Sequence, residues 1–238
     1  MVDFSQLEDK APDIDLEELL EAGCHFGHQK NRWHPKMADY IYAEKDGVHI
    51  FDLVKTAAQL KKAYNYAYFL GKQGKTLIFV GTKRQARDIV KKAAEDAGAM
   101  YIYSRWLGGL LTNWNQLNKS IIRMLSIEEG LKTDKYKGYT KFERVQLDKE
   151  RTKKGRFFDG IKDLKSKPDC LFVVDAKKED IAVTEASLTG VNVMALVDSN
   201  TNPSKVDLVI PANDDAVKSI QVIVNLVAKG YKEGRKAK

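Results

Sequence analysis

The chain has 238 residues, 43% of them apolar, enough for one large domain or for a domain carrying an insertion. Forty Lys and Arg against 33 Asp and Glu give a formal charge of +7 and a pI near 9.1. This composition excludes an intrinsically disordered chain, and no apolar run approaches the roughly 18–20 residues that span a bilayer, so no membrane association is expected. Residues 1–21 are acidic and lack the basic and apolar regions of a secretory signal. Cys24 and Cys170 are too few for a disulfide framework, which makes a reducing cytoplasm the expected compartment.

In chain order, residues 15–22 have the pattern of a short amphipathic helix that Gly23 ends. Residues 40–42 and 48–50 flank Asp46-Gly47, a hairpin signal. From Asp52, the residues Leu53, Ala57, Leu60, Tyr64 and Ala67 recur at helical spacing until Gly71 and Gly74. A strand is expected at 77–80, then a helix with Ala86, Ile89, Val90, Ala93 and Ala97 on one face, then a strand at 100–103. The rhythm resumes with strands at 170–174, 193–197 and 206–210, separated by a helix at 179–188 and followed by a last helix at 214–228. Continuous apolar strands alternating with amphipathic helices predict a parallel sheet covered on both faces.

Between the two series, Trp114, Leu117, Ile121 and Met124 are spaced three, four and three residues apart, the pattern of a coiled-coil seam. After a turn-like stretch at 130–139, residues 141–164 read as helical again, with Phe142, Val145, Phe157, Ile161 and Leu164 as apolar anchors. Residues 111–166 are therefore expected to form an antiparallel helical hairpin inserted into the α/β domain, which comprises 15–110 and 167–230. An acidic arm at 1–14 and a basic tail at 231–238 complete the organisation.

The placement of charge points to a partner. Residues 131–167 carry 13 basic and 6 acidic residues, and the segment 229–238 carries five basic residues and one Glu. Residues 1–21 carry eight acidic residues, from Asp3 to Glu21, against Lys10 alone. A polyanion attracts the first two segments and repels the third, which makes nucleic acid the leading partner class.

Gly74-Lys75-Thr76 resembles part of a phosphate-binding loop, but the loop's first glycine would fall at Phe69, and the tripeptide precedes its strand. Residues 80–84 are better placed, at a strand's end and a helix's start, where free N–H groups attract phosphate, and Lys83, Arg84 and Arg87 are candidate RNA contacts there. Asp175 and Asp198 each follow an apolar strand, the position that would favour an α/β enzyme acting on a nucleotide or sugar phosphate. Neither has an evident partner in sequence, so no catalytic residue is assigned. Cys24, His25, His28 and His34 lack CxxC spacing, and no metal or cofactor is assigned either. His28, Lys30, Arg32, Trp33, His34 and Lys36 mix cations with aromatic rings, the composition of an RNA-contacting loop. Arg105 and Asn113, around paired glycines, are candidate phosphate or ribose contacts, and Lys149, Arg151, Lys153, Lys154 and Arg156 form the basic middle of the hairpin.

Several of these blocks together resemble a known family. Residues 22–29, 33–37, 79–84, 105–113, 168–175, 197–203 and 209–215 are similar, in order, to the motifs of the bacterial protein-two family of the small ribosomal subunit, over residues 15–230. The resemblance implies a flavodoxin-like parallel sheet with an inserted coiled-coil hairpin. It also implies a structural, non-enzymatic protein that binds small-subunit ribosomal RNA at the head–body junction, contacts neighbouring ribosomal proteins and is needed for docking of ribosomal protein one. The acidic N-terminal extension and the short basic C-terminus depart from the family pattern and leave contacts at either end open.

Overall fold

A computed structural model of the chain describes residues 7–237; the arm's first six residues, Asp3 among them, and Lys238 of the basic tail lie outside the described residues. The elements in order are α1 (Leu16–Glu21), β1 (Phe26–Gln29), β2 (Ile41–Lys45), β3 (Val48–Phe51), α2 (Leu53–Lys72), β4 (Leu77–Val80), α3 (Arg87–Ala97), β5 (Met100–Ile102), α4 (Trp114–Lys132), α5 (Lys141–Phe158), β6 (Cys170–Val174), α6 (Asp180–Thr189), β7 (Asn192–Val197), β8 (Leu208–Pro211) and α7 (Val217–Lys236). Five strands form a parallel sheet in the order β5-β4-β6-β7-β8. Counted within that sheet the order is 2-1-3-4-5, that of flavodoxin-like folds, so the expected fold class holds for the α/β body.

Alternation along each strand divides the core in two. Leu77, Phe79, Phe172, Val174, Leu196 and Ile210 face α1, α2, α3 and α7. Ile78, Val80, Leu171, Val173, Val193 and Val209 face α6 and the foot of the inserted hairpin. Both faces are covered, which is why β4, β6 and β8 are apolar at every position.

Local sequence explains the element ends. Asp15 caps α1 through the Glu17 N–H at 2.8 Å, and Asp52 caps α2 through the Val54 N–H at 3.0 Å. Asp46 and Gly47, at φ +53° and +76°, make the two-residue turn that joins β2 to β3 in antiparallel register. Sequence patterning missed one strand: β1 pairs with β3, giving a separate three-stranded antiparallel sheet in the order β1-β3-β2. Consequently His28 lies in a strand, and the expected irregular loop reduces to two 3-10 turns, Lys30–Arg32 and Pro35–Tyr40.

The last helix begins three residues later than expected, at Val217, because the Asn213 side chain accepts the N–H groups of Asp215 and Ala216. It also runs on to Lys236, through Gly230 and Gly234, which lie against α2. A Cβ on Gly230 would sit 2.7 Å from the Tyr64 carbonyl oxygen, and one on Gly234 would sit 2.0 Å from that of Tyr68. These glycines serve close helix approach rather than helix termination.

α4 and α5 pack against each other, joined by ion pairs from Arg123 to Glu150 at 3.3 Å and from Arg151 to Glu128 at 3.0 Å. Ile121, Met124 and Ile127 of α4 are buried, as are Ile161 and Leu164 beyond α5. Phe142 and Val145, expected as anchors, are 71% and 44% exposed. They occupy the end of α5 remote from the sheet, where burial is lost; the buried residues of α5, Gly155 and Phe158, lie at its other end. α5 stops at Phe158 and gives way to a 3-10 turn, Asp159–Ile161, whose Gly160 lies directly against the Tyr101 carbonyl of the edge strand β5. No helix among the described residues is long and apolar enough to cross a membrane.

Candidate nucleic-acid interface

The carboxyl ends of the parallel strands gather polar residues at one edge, where open α/β sheets bind ligands. Lys83 follows β4, Asp175 follows β6, Asp198 follows β7, and Asp214 and Asp215 follow β8. These residues converge. Lys83 Nζ lies 3.2 Å from Asp175, 2.6 Å from Asp214 and 2.7 Å from Asp215. His28 reaches in from β1, with Nδ1 2.9 Å from Asp198 and Nε2 3.5 Å from Asp215. Asp198 also accepts the backbone N–H of His28 at 3.1 Å and that of Ser199 at 2.5 Å.

Each group in this cluster shapes its neighbours' protonation. The hydrogen bond that the His28 ring donates to Asp198 raises the His28 pKa despite partial burial. Burial pulls Lys83 downward, but its bonds to Asp214 and Asp215 win and raise it. Burial, together with the nearby Asp175 and Asp198, raises Asp214, and Lys83 only partly offsets this. Asp175 and Asp198, which look isolated in sequence, are therefore members of one charge network. Asp175 holds a left-handed backbone at φ +65° within it. Donor atoms of His28, Asp198 and Asp214 lie within 4.8 Å of one another, a set able to hold a cation. Cys24 and His25 take no part in such a set among the described residues: Cys24 is buried in the core, and burial raises its thiol pKa.

Two buried glutamates matter as much and carry no sequence signal. Thr82 begins the strand-to-helix turn at β4, where a bound phosphate would meet free N–H groups. Its N–H and hydroxyl instead donate to Glu179, at 3.1 and 2.5 Å. The protein's own carboxylate thus fills the anion seat at the β4–β6 switch point, where an enzyme of this fold would bind its nucleotide. Glu185 on α6 does the same for the loop after β5. It accepts the N–H groups of Gly109 at 2.6 Å, Leu111 at 2.9 Å and Thr112 at 3.3 Å, and the indole N–H of Trp106 at 3.4 Å.

The sequence-predicted contacts separate by environment. Lys83 turns inward: only 12% of its side chain is exposed, and it pairs with three aspartates. His28 is likewise turned into the cluster, both ring nitrogens facing carboxylates. Lys30, Arg32, Trp33 and Lys36 are exposed; Lys30 pairs with Glu44 at 2.7 Å, and the Trp33 ring lies 5.0 Å from that of His49. His34 is half-buried, its backbone N–H donating to the Ser199 carbonyl at 2.7 Å. Arg84, Arg87, Arg105 and Asn113 are exposed, though Arg87 Nε donates to the Thr82 carbonyl at 2.9 Å. Trp114, the first residue of the expected seam, is half-buried and packs against the core on that face. On α5, Lys149, Lys153 and Arg156 are exposed, Lys154 is half-buried, and Arg151 is paired with Glu128 and Asp159.

These features define an α/β protein with a flavodoxin-like core, whose switch-point turn is bonded to its own Glu179 and whose helices α4 and α5 pack together between β5 and β6. The chain belongs to the ribosomal protein S2 family, whose model matches residues 19–234. It is 47% identical over 223 residues to small ribosomal subunit protein uS2 of Mesorhizobium japonicum, covering 94% of this chain and 85% of the relative. It is 46% identical over 221 residues to the protein of the same name from Koribacter versatilis, covering 93% and 73%. The corresponding protein of Geotalea uraniireducens is 44% identical over 225 residues, covering 94% and 88%.

Proposed function

We propose that the protein binds small-subunit ribosomal RNA at the head–body junction, contacts neighbouring ribosomal proteins and supports the docking of ribosomal protein one, acting in translation on cytoplasmic ribosomes. The observation that carries RNA binding is the division of its cations. Those turned inward, Lys83 above all, are matched by carboxylates, whereas Arg32 and Lys36 beside Trp33, and Lys149, Lys153 and Arg156 on α5, face solvent. Exposed cations interleaved with an aromatic ring suit folded RNA, whose phosphates they neutralise and whose unstacked bases lie on rings. The hairpin 111–166 acts in this reading as a coiled-coil arm whose basic middle reaches RNA away from the sheet. The head–body position and the docking role rest on family membership.

The test is a Lys30/Arg32/Lys36→Ala triple variant, joined to small subunits lacking the family member across a salt series. Removing a cation that neutralises a phosphate is expected to flatten the log–log salt slope by about 0.9. A variant that melts like the parent and joins subunits with unchanged affinity and salt dependence would remove this segment from the interface.

A further inference from the structure

Beside the 28–36 segment, between the loops that follow β6 and β7, lies a cavity of about 280 Å³. Its polar lining includes His34, Lys177, Asp180, Asn200, Asn202 and Lys205. Internal hydrogen bonds fix what these side chains can offer a ligand. The Asn200 side-chain oxygen accepts the Thr201 hydroxyl at 2.9 Å, and that of Asn202 accepts the Ser204 N–H at 3.1 Å, so the amide NH2 groups are the donors left over. His34 Nδ1 accepts the Lys36 N–H at 3.2 Å, which leaves its Nε2–H as a donor. Lys177 is exposed and has no carboxylate partner among the described residues. Lys205 is held at the wall by the Thr184 hydroxyl at 2.8 Å and Asp180 at 3.4 Å.

The cavity therefore presents donors and two ammonium groups against one carboxylate, a lining that selects an anion. Its size is below the roughly 300–1,000 Å³ of small-molecule and cofactor pockets. It also adjoins the exposed basic segment directly, since Lys36 Nζ donates to Ser204 on the same loop at 2.5 Å. We propose that it is a nucleotide subsite for the RNA, with one backbone phosphate seated between Lys177 and Lys205 and the amide groups of Asn200 and Asn202 turned to the same nucleotide. This rests on the RNA-binding reading and specifies where on the body a single nucleotide is gripped.

The test compares Lys177→Gln/Lys205→Gln with Lys62→Gln/Lys92→Gln, which removes the same charge from exposed positions on α2 and α3, in joining small subunits that lack the family member. With one phosphate fewer neutralised, the weakening between 50 and 200 mM salt becomes about three-fold smaller. That change is expected in the cavity pair and not in the control pair; equal behaviour of the two pairs overturns the subsite. Asp180→Asn removes the carboxylate that competes for Lys205 and is expected to raise affinity about two- to five-fold, and a loss of affinity contradicts the proposal. Saturable binding of AMP to the free protein, abolished in the cavity pair while subunit joining is untouched, assigns the cavity to a free nucleotide and also overturns it. A parent protein that fails to join subunits at any salt concentration is a different result, refuting the RNA-binding reading itself.

Discussion

Glu185 provides a stringent test of how the loop carrying Arg105 and Asn113 is held. Its carboxylate is 7% exposed and accepts three backbone N–H groups and one indole N–H from residues 106–112. Burial alone would raise its pKa, but the N–H groups of Gly109, Leu111 and Thr112 outweigh it and hold the group below its ordinary value. In Glu185→Ala, the N–H groups of Gly109 and Leu111 lose their acceptor; at about 1–3 kcal/mol for each unsatisfied buried donor, the cost is about 2–6 kcal/mol. Thr112 is exposed, so water takes the place of its bond to the carboxylate. Glu185→Gln keeps one acceptor oxygen and turns an NH2 group toward the remaining donors, and is expected to cost roughly half as much.

Urea and thermal unfolding, followed by Trp fluorescence, measure both variants; at about 2–4 °C per kcal/mol for a chain of this size, the alanine variant should melt about 4–24 °C lower. Because the folded-state pKa is depressed, the ionised group contributes stability that is full above its unfolded value, about 4.3, and is lost as pH falls through the folded value. The gap between the parent and Glu185→Gln should therefore narrow below about pH 4. If Glu185→Gln unfolds within about 0.5 kcal/mol of the parent at pH 7, the loop is held by its own packing and the reasoning fails.

Three further outcomes concern the helix interface, the aspartate cluster and the arm. Gly234→Ala places a Cβ 2.0 Å from the Tyr68 carbonyl and should destabilise by about 1–3 kcal/mol in a thermal melt, whereas Gly190→Ala, with open space but φ +71°, tests backbone strain alone. Lys83→Met leaves Asp175, Asp214 and Asp215 without their shared cation, a loss of about 3–5 kcal/mol by denaturation; a variant as stable as the parent would show that the cluster needs no internal cation. Deleting residues 1–14 removes Glu8 and Asp13, which pair with Lys72 and Lys61 of α2, and should leave affinity for small subunits unchanged or raised, so a large loss would make the arm part of the interface.

The strands of the parallel sheet and the helices are legible because each follows from a periodicity: runs such as 170–174 are apolar at every residue when both sheet faces are covered, and the helices repeat every three or four residues. β1 escaped because its four residues, Phe26 to Gln29, alternate weakly and pair only with β3, a contact that no local pattern encodes. Phe142 and Val145 misled for the converse reason: spacing says which residues share a helix face, not whether anything lies opposite that face.

The candidate site was legible as types and illegible as pairs. Asp175 and Asp198 stand out because each directly follows an apolar strand, and the same rule applied after β8 would have drawn attention to Asp214. What the chain order hides is that five loops, from β1, β4, β6, β7 and β8, end at one edge, so Lys83 meets residues nearly a hundred or more positions away. A lysine read from its neighbours Thr82 and Arg84 looks like a phosphate ligand; read from the folded edge, it is the counter-ion of three aspartates. The same geometry shows what occupies the fold's usual ligand seat. Thr82 offers the N–H and hydroxyl that a nucleotide phosphate would use, and Glu179 accepts both from within the chain. An anion arriving from outside must then find donors that the protein has not already satisfied, and those lie farther along the same edge, on Lys177, Asn200, Asn202 and Lys205, and on the exposed cations of 30–36 and α5. Internal satisfaction of the strand-end seat and exposure of the rim donors are two sides of one arrangement: buried polar groups must be paired within the fold, so only those left at the rim remain for an anion from outside.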